Sequence, residues 1–297
     1  MLRLAIVIPT FNRKENLNNL LCNIKLQIDI PTWQIAIYVV VDGLFDGTIE
    51  MLHKKYSDLN IVIGAETWWF THSVNEGSKA AEKFNPDFFL IMNDDVTISE
   101  NFFKNLFISY RTIPNNSILG VASFTQSEPR RLTFSGVEKI KRWNFGYKLY
   151  HKPYIIIDPT ELKGIYKSVV LPSRCMLIPF KLAKHLNYFD EKFPQYGSDY
   201  DFTLRAKKYA NAESYITWDT YVFEDDTLTG TGSPKKPVSF SVYIKKLFSV
   251  YAPNSLIKNM RLLWRHGNKL LFLFGVMSQI IGVVKSYYYH RKKWQVI

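Results

Sequence analysis

The residues best suited to chemistry in this sequence are carboxylates, and they stand in two groups. Asn93-Asp94-Asp95 follows Phe88-Phe89-Leu90-Ile91-Met92, a run with the length and apolar character of a buried strand. Adjacent carboxylates in that setting repel one another unless a cation neutralises them. Hard divalent ions such as magnesium or manganese take one or two carboxylates and complete their shell with substrate phosphates. A solvated cap for a helix beginning near Ser99 fits the same residues, and the spacing leaves both readings open. The second group is Asp199 and Asp201, inside Tyr196-Gly197-Ser198-Asp199-Tyr200-Asp201-Phe202 at the start of a helical pattern. An ionised carboxylate there can serve as general base toward an attacking hydroxyl, or can cap the helix. Glu224-Asp225-Asp226 reads first as a surface acidic turn and only second as an addition to a metal shell.

These groups need a frame, and the hydrophobic pattern supplies one. Leu4–Ile8, Ile35–Val41, Ile61–Ile63 and Phe88–Met92 are apolar runs of strand length. Between them Leu17, Leu20, Leu21 and Ile24 recur at helical spacing, and Ser73–Phe84 is compatible with helix. A βαβαβαβ order with continuously apolar strands predicts an α/β fold with a mostly parallel sheet covered on both faces. Ligands in such sheets bind beyond the carboxyl ends of the strands. Polar, turn-forming residues stand at all four such ends: Pro9-Thr10-Phe11-Asn12-Arg13, Asp42-Gly43, Gly64-Ala65-Glu66 and Asn93-Asp94-Asp95. Gly230, Gly232, Pro234 and Pro237 then mark a break, giving a main domain over 1–232 and a tail over 233–297.

The net charge of +12 belongs to that tail. From Thr227 onward there are twelve Lys or Arg and no Asp or Glu, which leaves 26 basic against 26 acidic residues before it. Such a one-sided field gathers polyanions, either nucleic acid or an anionic membrane. Leu256, Met260, Leu263 and Trp264 fall on one helical face, with Lys258, Arg261 and Arg265 opposite. The apolar run Leu270–Val284 is 15 residues long, short of the roughly 20 needed to span a bilayer. An aromatic and basic end follows it, Tyr287-Tyr288-Tyr289-His290-Arg291-Lys292-Lys293-Trp294. Basic amphipathic helices lying in a membrane interface have this make-up, and packing on the main domain or a second subunit is the alternative. Two cysteines, Cys22 and Cys175, without a paired framework fit a reducing compartment, and the N-terminus lacks the features of a secretory signal. The expectation is a cytoplasmic protein, peripheral on the inner face of the cell membrane.

Five segments in order carry a family resemblance. Ile6–Arg13 resembles the opening strand and loop of glycosyltransferase family 2, an inverting family with the Rossmann-like GT-A fold. Val39–Gly43 with Asp46-Gly47-Thr48 is similar to its second strand and loop. Thr67–Thr71 with Asn75 and Gly77 resembles the tryptophan-rich segment of a bacterial rhamnosyltransferase-like subgroup. Asn93-Asp94-Asp95 falls where the family has its DxD-type metal motif, and Arg174–Pro179, Phe189-Asp190 and Gly197–Arg205 match its acceptor-side block. Asn93, Ser198 and Gly43–Asp46 depart from the family pattern.

The resemblance implies a nucleotide-sugar-binding half over 1–97 and an acceptor-binding half over 98–232. It assigns Pro9, Thr10, Asn12, Arg13, Asp42, Asn75 and Asp94 to the donor, with Asp42 on the nucleobase. Asp95 becomes the main ligand of a manganese or magnesium ion, and Asp199 the catalytic base. Trp68, Trp69 and Asp201 fall on the acceptor side. The implied activity is inverting sugar transfer, of rhamnose or another deoxysugar, from a nucleotide-diphosphate donor to a glycan or lipid-linked glycan in cell-surface polysaccharide synthesis. An inactive membrane-docked scaffold and a nucleic-acid-binding protein are the alternatives, the latter without any recognisable nucleic-acid motif and with a formally neutral main domain against it. A homo-oligomer is compatible with the tail.

Overall fold

A computed structural model describes residues 1–28, 30, 32–225 and 239–294, with side chains through 288. The anticipated boundary at 232, the Gly and Pro residues around it, Asp226, Lys235, Lys236 and the side chains from Tyr289 to Trp294 lie outside the described residues.

The first half alternates as its hydrophobic pattern dictates. It runs β1 (Leu2–Thr10), α1 (Lys14–Lys25), β2 (Trp33–Val41), α2 (Thr48–Lys55), β3 (Asn60–Ile63), α3 (Trp69–Ala81) and β4 (Phe88–Met92). Next come β5 (Val96–Ile98), α4 (Phe102–Arg111), β6 (Ile118–Thr125), β7 (Leu132–Phe134), β8 (Val137–Ile140), β9 (Tyr147–Leu149) and β10 (Ile165–Lys167). The body closes with β11 (Cys175–Pro179), α5 (Phe180–His185), α6 (Ser198–Ala210) and β12 (Ser214–Glu224). The tail forms α7 (Phe240–Leu247), α8 (Leu256–His266) and α9 (Phe272–Trp294).

The main sheet has the order β10-β12-β6-β11-β4-β1-β2-β3. Strands β3, β2, β1 and β4 are parallel, as expected. Beyond them β11 enters antiparallel between β4 and β6, so the whole sheet is mixed. Side chains alternate strictly across β1: Ala5 and Val7 join one buried cluster, and Leu4, Ile6 and Ile8 the other. Helices α3, α5 and α6 cover the first face, while α1, α2 and α4 cover the second. Gly77 lets α3 lie directly on the sheet, since a Cβ there would sit 2.6 Å from both Val7 and Val40 side chains.

The tail is not an appendage. On α8, Leu256, Leu262 and Leu263 are buried, whereas Met260 and Trp264 are exposed. Half of the apolar face docks, and so does the cationic face expected to meet solvent or lipid: Arg261 donates to the Lys192 carbonyl, and Arg265 reaches Asp190 and Asp201. The fully buried Asp201 carboxylate draws Arg265 inward. Helix α9 packs by Gly275 against the Trp143 backbone, and Gln279 donates to the Asn144 carbonyl at 3.0 Å. With the residues that flank the 15-residue apolar run, the helical segment is longer than that run alone. The segment Lys269–Tyr288 is 20 residues long and apolar enough to cross a membrane by length and composition, with 11% of its most apolar stretch buried.

Candidate active site

The strand order reverses between β1 and β4, because β2 and β3 build outward on one side of β1 and β4 lies on the other. Loops following these two strands diverge there and leave a crevice. Into it project Thr10 and Arg13 from one loop and Asp94 and Asp95 from the other. Thr10 Oγ1 donates to Asp94 Oδ2 at 2.7 Å, and Arg13 Nη1 lies 3.0 Å from both Asp94 and Asp95. A cavity of about 850 Å³ opens over this cluster, also lined by Pro9, Asp42, Trp69, Arg174, Asp199 and Glu224. That is the size of a site for a small ligand with several recognisable parts.

No helix cap explains the acidic pair: β5 follows it, and α4 begins only at Phe102 with Asn101 at its N-cap position. Burial pushes the Asp94 carboxyl up to about 6 against the attraction of Arg13, with Asp95 repelling it further. Burial also raises Asp95, which feels Glu224 as well as the two arginines. The site therefore holds excess negative charge even with Arg13 in place. Asn93 Oδ1 is buried with no hydrogen-bond partner. Among the described residues no three His, Cys, Asp or Glu converge as a ready-made metal shell. A hard cation that draws most of its oxygens from phosphates needs only one or two carboxylates. Asp95 with the orphaned Asn93 amide oxygen fits that requirement.

Asp42 directly follows β2 and is 4% exposed. Its Oδ2 accepts from the Trp68 and Trp69 backbone N–H groups at 2.9 and 3.2 Å, while Oδ1 has no partner. Gly64 makes this possible, since a Cβ there would sit 2.5 Å from that same Oδ1. Buried polar atoms are nearly always hydrogen-bonded, so this orphaned oxygen on a cavity-lining residue is a candidate ligand contact.

Asp199 lies in the first turn of α6 and on the same cavity. Its carboxylate accepts from the Tyr200 N–H at 2.8 Å and the Ser173 N–H at 3.1 Å. Burial raises its pKa; those two N–H groups and the charge of Lys258 oppose the rise. A carboxylate moved toward neutrality is a better proton acceptor near physiological pH.

Four anticipated site residues do other work. Asp201 is fully buried and outside the cavity lining. It receives Arg205 at 2.6 Å, Arg265 at 2.7 Å and His266 at 2.8 Å, which anchors α8 rather than an acceptor. Asn75 is a strut: it exchanges hydrogen bonds with the Phe189 backbone and donates to Glu191. Asn12, in the left-handed region at φ 50°, is not on the cavity wall, and its Oδ1 faces the Phe45 N–H at 3.4 Å. Trp68 packs partly on the core. Trp69 does line the cavity, at φ 58° and stacked on Tyr251 with ring centroids 4.1 Å apart.

The structure places Glu224, weighed in the sequence first as a surface turn and second as a metal ligand, and adds tail residues to the cavity wall. Glu224 is the buried end of an 11-residue strand, not part of a surface turn, and it pairs with Arg174, which is also bonded to Ser123. Lys258, Asn259 and Leu262 bring α8 onto the cavity wall. No local signal marks these: a strand-ending acid and a tail lysine look like many others.

A crevice at a switch point of the sheet, with paired acids and a separate carboxylate, fits an α/β protein of the GT-A architecture. The chain matches Glycosyl transferase family 2 over residues 5–170, and it belongs to that family. No curated protein sequence matches it. Solved structures with the same fold include GalNAc-T7 with UDP, GalNAc and Mn2+, at TM-score 0.63 and 12% identity over 95% of this chain. They also include the mannosyltransferase PcManGT from Pyrobaculum calidifontis with GDP-Man and Mn2+, at TM-score 0.55 and 13% identity over 93% of this chain and 68% of that one. A third is S. aureus TarS 1–349 in complex with UDP-GlcNAc, at TM-score 0.52 and 16% identity over 89% of this chain and 71% of that one. The chain spans 58% of the GalNAc-T7 chain.

Proposed function

We propose that the chain transfers a sugar from a nucleoside-diphosphate donor to an acceptor hydroxyl, with inversion at the anomeric carbon. One observation carries this: the acidic cluster at the β1/β4 crevice and the isolated Asp199 line the same cavity. Asp42 Oδ1 receives an N–H of the nucleobase. Arg13 holds Asp94 and Asp95 in place and adds positive charge beside the diphosphate. A manganese or magnesium ion held by Asp95 and Asn93 Oδ1 would neutralise the negative charge of the diphosphate leaving group. Asp199 takes the acceptor proton as that oxygen attacks from the opposite face, so one displacement inverts the centre. The ions and nucleotides bound by the solved relatives support this reading.

The tryptophan segment supports a deoxysugar such as rhamnose, and the tail supports a lipid-linked acceptor in cell-surface polysaccharide synthesis. Leu273, Phe274, Met277, Ile280 and Ile281 form one exposed apolar stripe along α9, with exposed Leu270 just before it. With basic residues at either end, that stripe suits an anionic membrane surface on the cytoplasmic side.

A panel of UDP, GDP and dTDP with manganese, read by thermal unfolding, tests the donor site. At 100 times Kd a ligand stabilises by about 2.7 kcal/mol. A rise with one nucleotide that is lost in Asp42→Ala supports the proposal. No rise with any of the three in manganese contradicts it.

A further inference from the structure

Among the described residues three cations line the cavity, and two are already matched. Arg13 pairs with Asp94 and Asp95, and Arg174 with Glu224. Lys258 forms no ion pair within 4.0 Å among the described residues; its ammonium donates to the Pro253 carbonyl. Its stem lies against the start of α6. A Cβ on Gly197, which caps that helix at φ +90°, would come 3.0 Å from Lys258 Cγ and Cδ. Gly197 stands two residues before Asp199. Two turns further along α8, Arg265 and His266 hold Asp201, two residues after it. The tail helix is thus clamped along the first turn of α6, with the candidate base between its two contact points.

We infer that Lys258 is a positioning residue for Asp199: delivered by the tail, its ammonium stands across the cavity from that carboxylate and keeps it charged when substrate shuts out water. A bound substrate lowers the local dielectric, which strengthens both the penalty on an isolated carboxylate and the help from a fixed cation. The two groups form no ion pair within 4.0 Å, so the ammonium does not occupy the carboxylate that an acceptor hydroxyl must reach. Among the described residues, the groups that act on Asp199 are the N–H donors of Ser173 and Tyr200 and this cation, and the Tyr200 phenol is in turn held neutral partly by Asp199. Lys258 in turn faces Asp199, with the Tyr196 ring 6.0 Å away. Burial pulls the ammonium down to about 8 while Asp199 holds it up, so it is mostly charged at neutral pH. The catalytic domain therefore does not end where the sequence breaks: α8 belongs to the active site.

The inference rests on Asp199 being the base, but its test does not require turnover. Carbon-13 carboxyl resonances of aspartate, with Asp199 assigned through its loss in Asp199→Asn, report that group's titration directly. In Lys258→Met the midpoint should move to higher pH, and Lys258→Arg should restore it. An unchanged midpoint in Lys258→Met overturns the inference, whether or not sugar transfer is observed. If Lys258→Met does not fold, the reciprocal measurement replaces it: ε-carbon-13 lysine titration of Lys258 in wild type and Asp199→Asn. The ammonium should then titrate at lower pH once the carboxylate is gone, and an equal midpoint overturns the coupling. Where turnover with a nucleotide-sugar is measured, Lys258→Met should lose more kcat/KM at pH 6 than at pH 8. Equal losses at both values would mark Lys258 as a packing residue only.

Discussion

Replacing Asp201 by Asn should loosen the tail from the body at a large cost in stability. The carboxylate is wholly buried and receives Arg205, Arg265 and His266 within 2.8 Å. Removing one partner of a buried ion pair costs about 3–5 kcal/mol, because the other charge is left uncompensated. Both arginines keep further acceptors: Asp190 for Arg265, and the Leu186 and Tyr188 carbonyls for Arg205. The lower end, about 3 kcal/mol, is therefore the expectation. Asp190→Asn removes a partly exposed partner of the same arginine and should cost about 1 kcal/mol or less. Urea unfolding of the two variants makes the comparison at equal charge change. The pH dependence adds a second check. Burial acts to raise Asp201, but the His266 and arginine contacts override it and hold its carboxyl below the ordinary range. Its stabilisation is then complete above the unfolded-state pKa and is lost as pH falls through the depressed folded value. The gap between wild type and Asp201→Asn should close in acid. Equal costs for the two variants, or a gap that persists unchanged in acid, would refute the anchoring role.

Gly77→Ala should cost about 1–3 kcal/mol by forcing α3 off Val7 and Val40, as unfolding would show. Trp69→Gly relieves a left-handed backbone position but removes the ring on the cavity wall. A raised KM with little loss of unfolding midpoint is expected. Truncation before Ser239 should destabilise the body, since Asp201 loses Arg265 and His266, whereas truncation after Asn268 keeps both. Thermal unfolding distinguishes the two. Phe274→Glu with Met277→Glu, on the exposed stripe of α9, should abolish flotation with anionic liposomes while leaving nucleotide binding intact.

Periodicity made the parallel half of the fold legible, because four apolar strands in βα alternation leave few other arrangements. The antiparallel entry of β11 was not legible: its Cys175–Pro179 run is as apolar as β4, and no local feature sets its direction. Strand ends located Thr10, Arg13, Asp42, Asp94 and Asp95 because chemistry at a switch point is local in sequence. Asp199 and Asp201 show the limit. Two residues apart on one helix turn, they point to different surroundings, one to the cavity and one to three partners from α6 and α8. Those partners lie up to 65 residues away, and no spacing rule reaches that far. The tail misled for a related reason: amphipathicity shows that a helix has two faces, not which face the body will claim.

The central claim is that Asp199 deprotonates the acceptor on a bound nucleotide-sugar. The most direct measurement is kcat and donor Kd for wild type and Asp199→Asn, using the donor singled out by the nucleotide panel and nucleoside diphosphate release as the signal. Asn preserves size but cannot take a proton at neutral pH. A fall in kcat of about 10²–10⁴-fold with donor Kd unchanged is the predicted result. A near-normal kcat in Asp199→Asn would contradict the account.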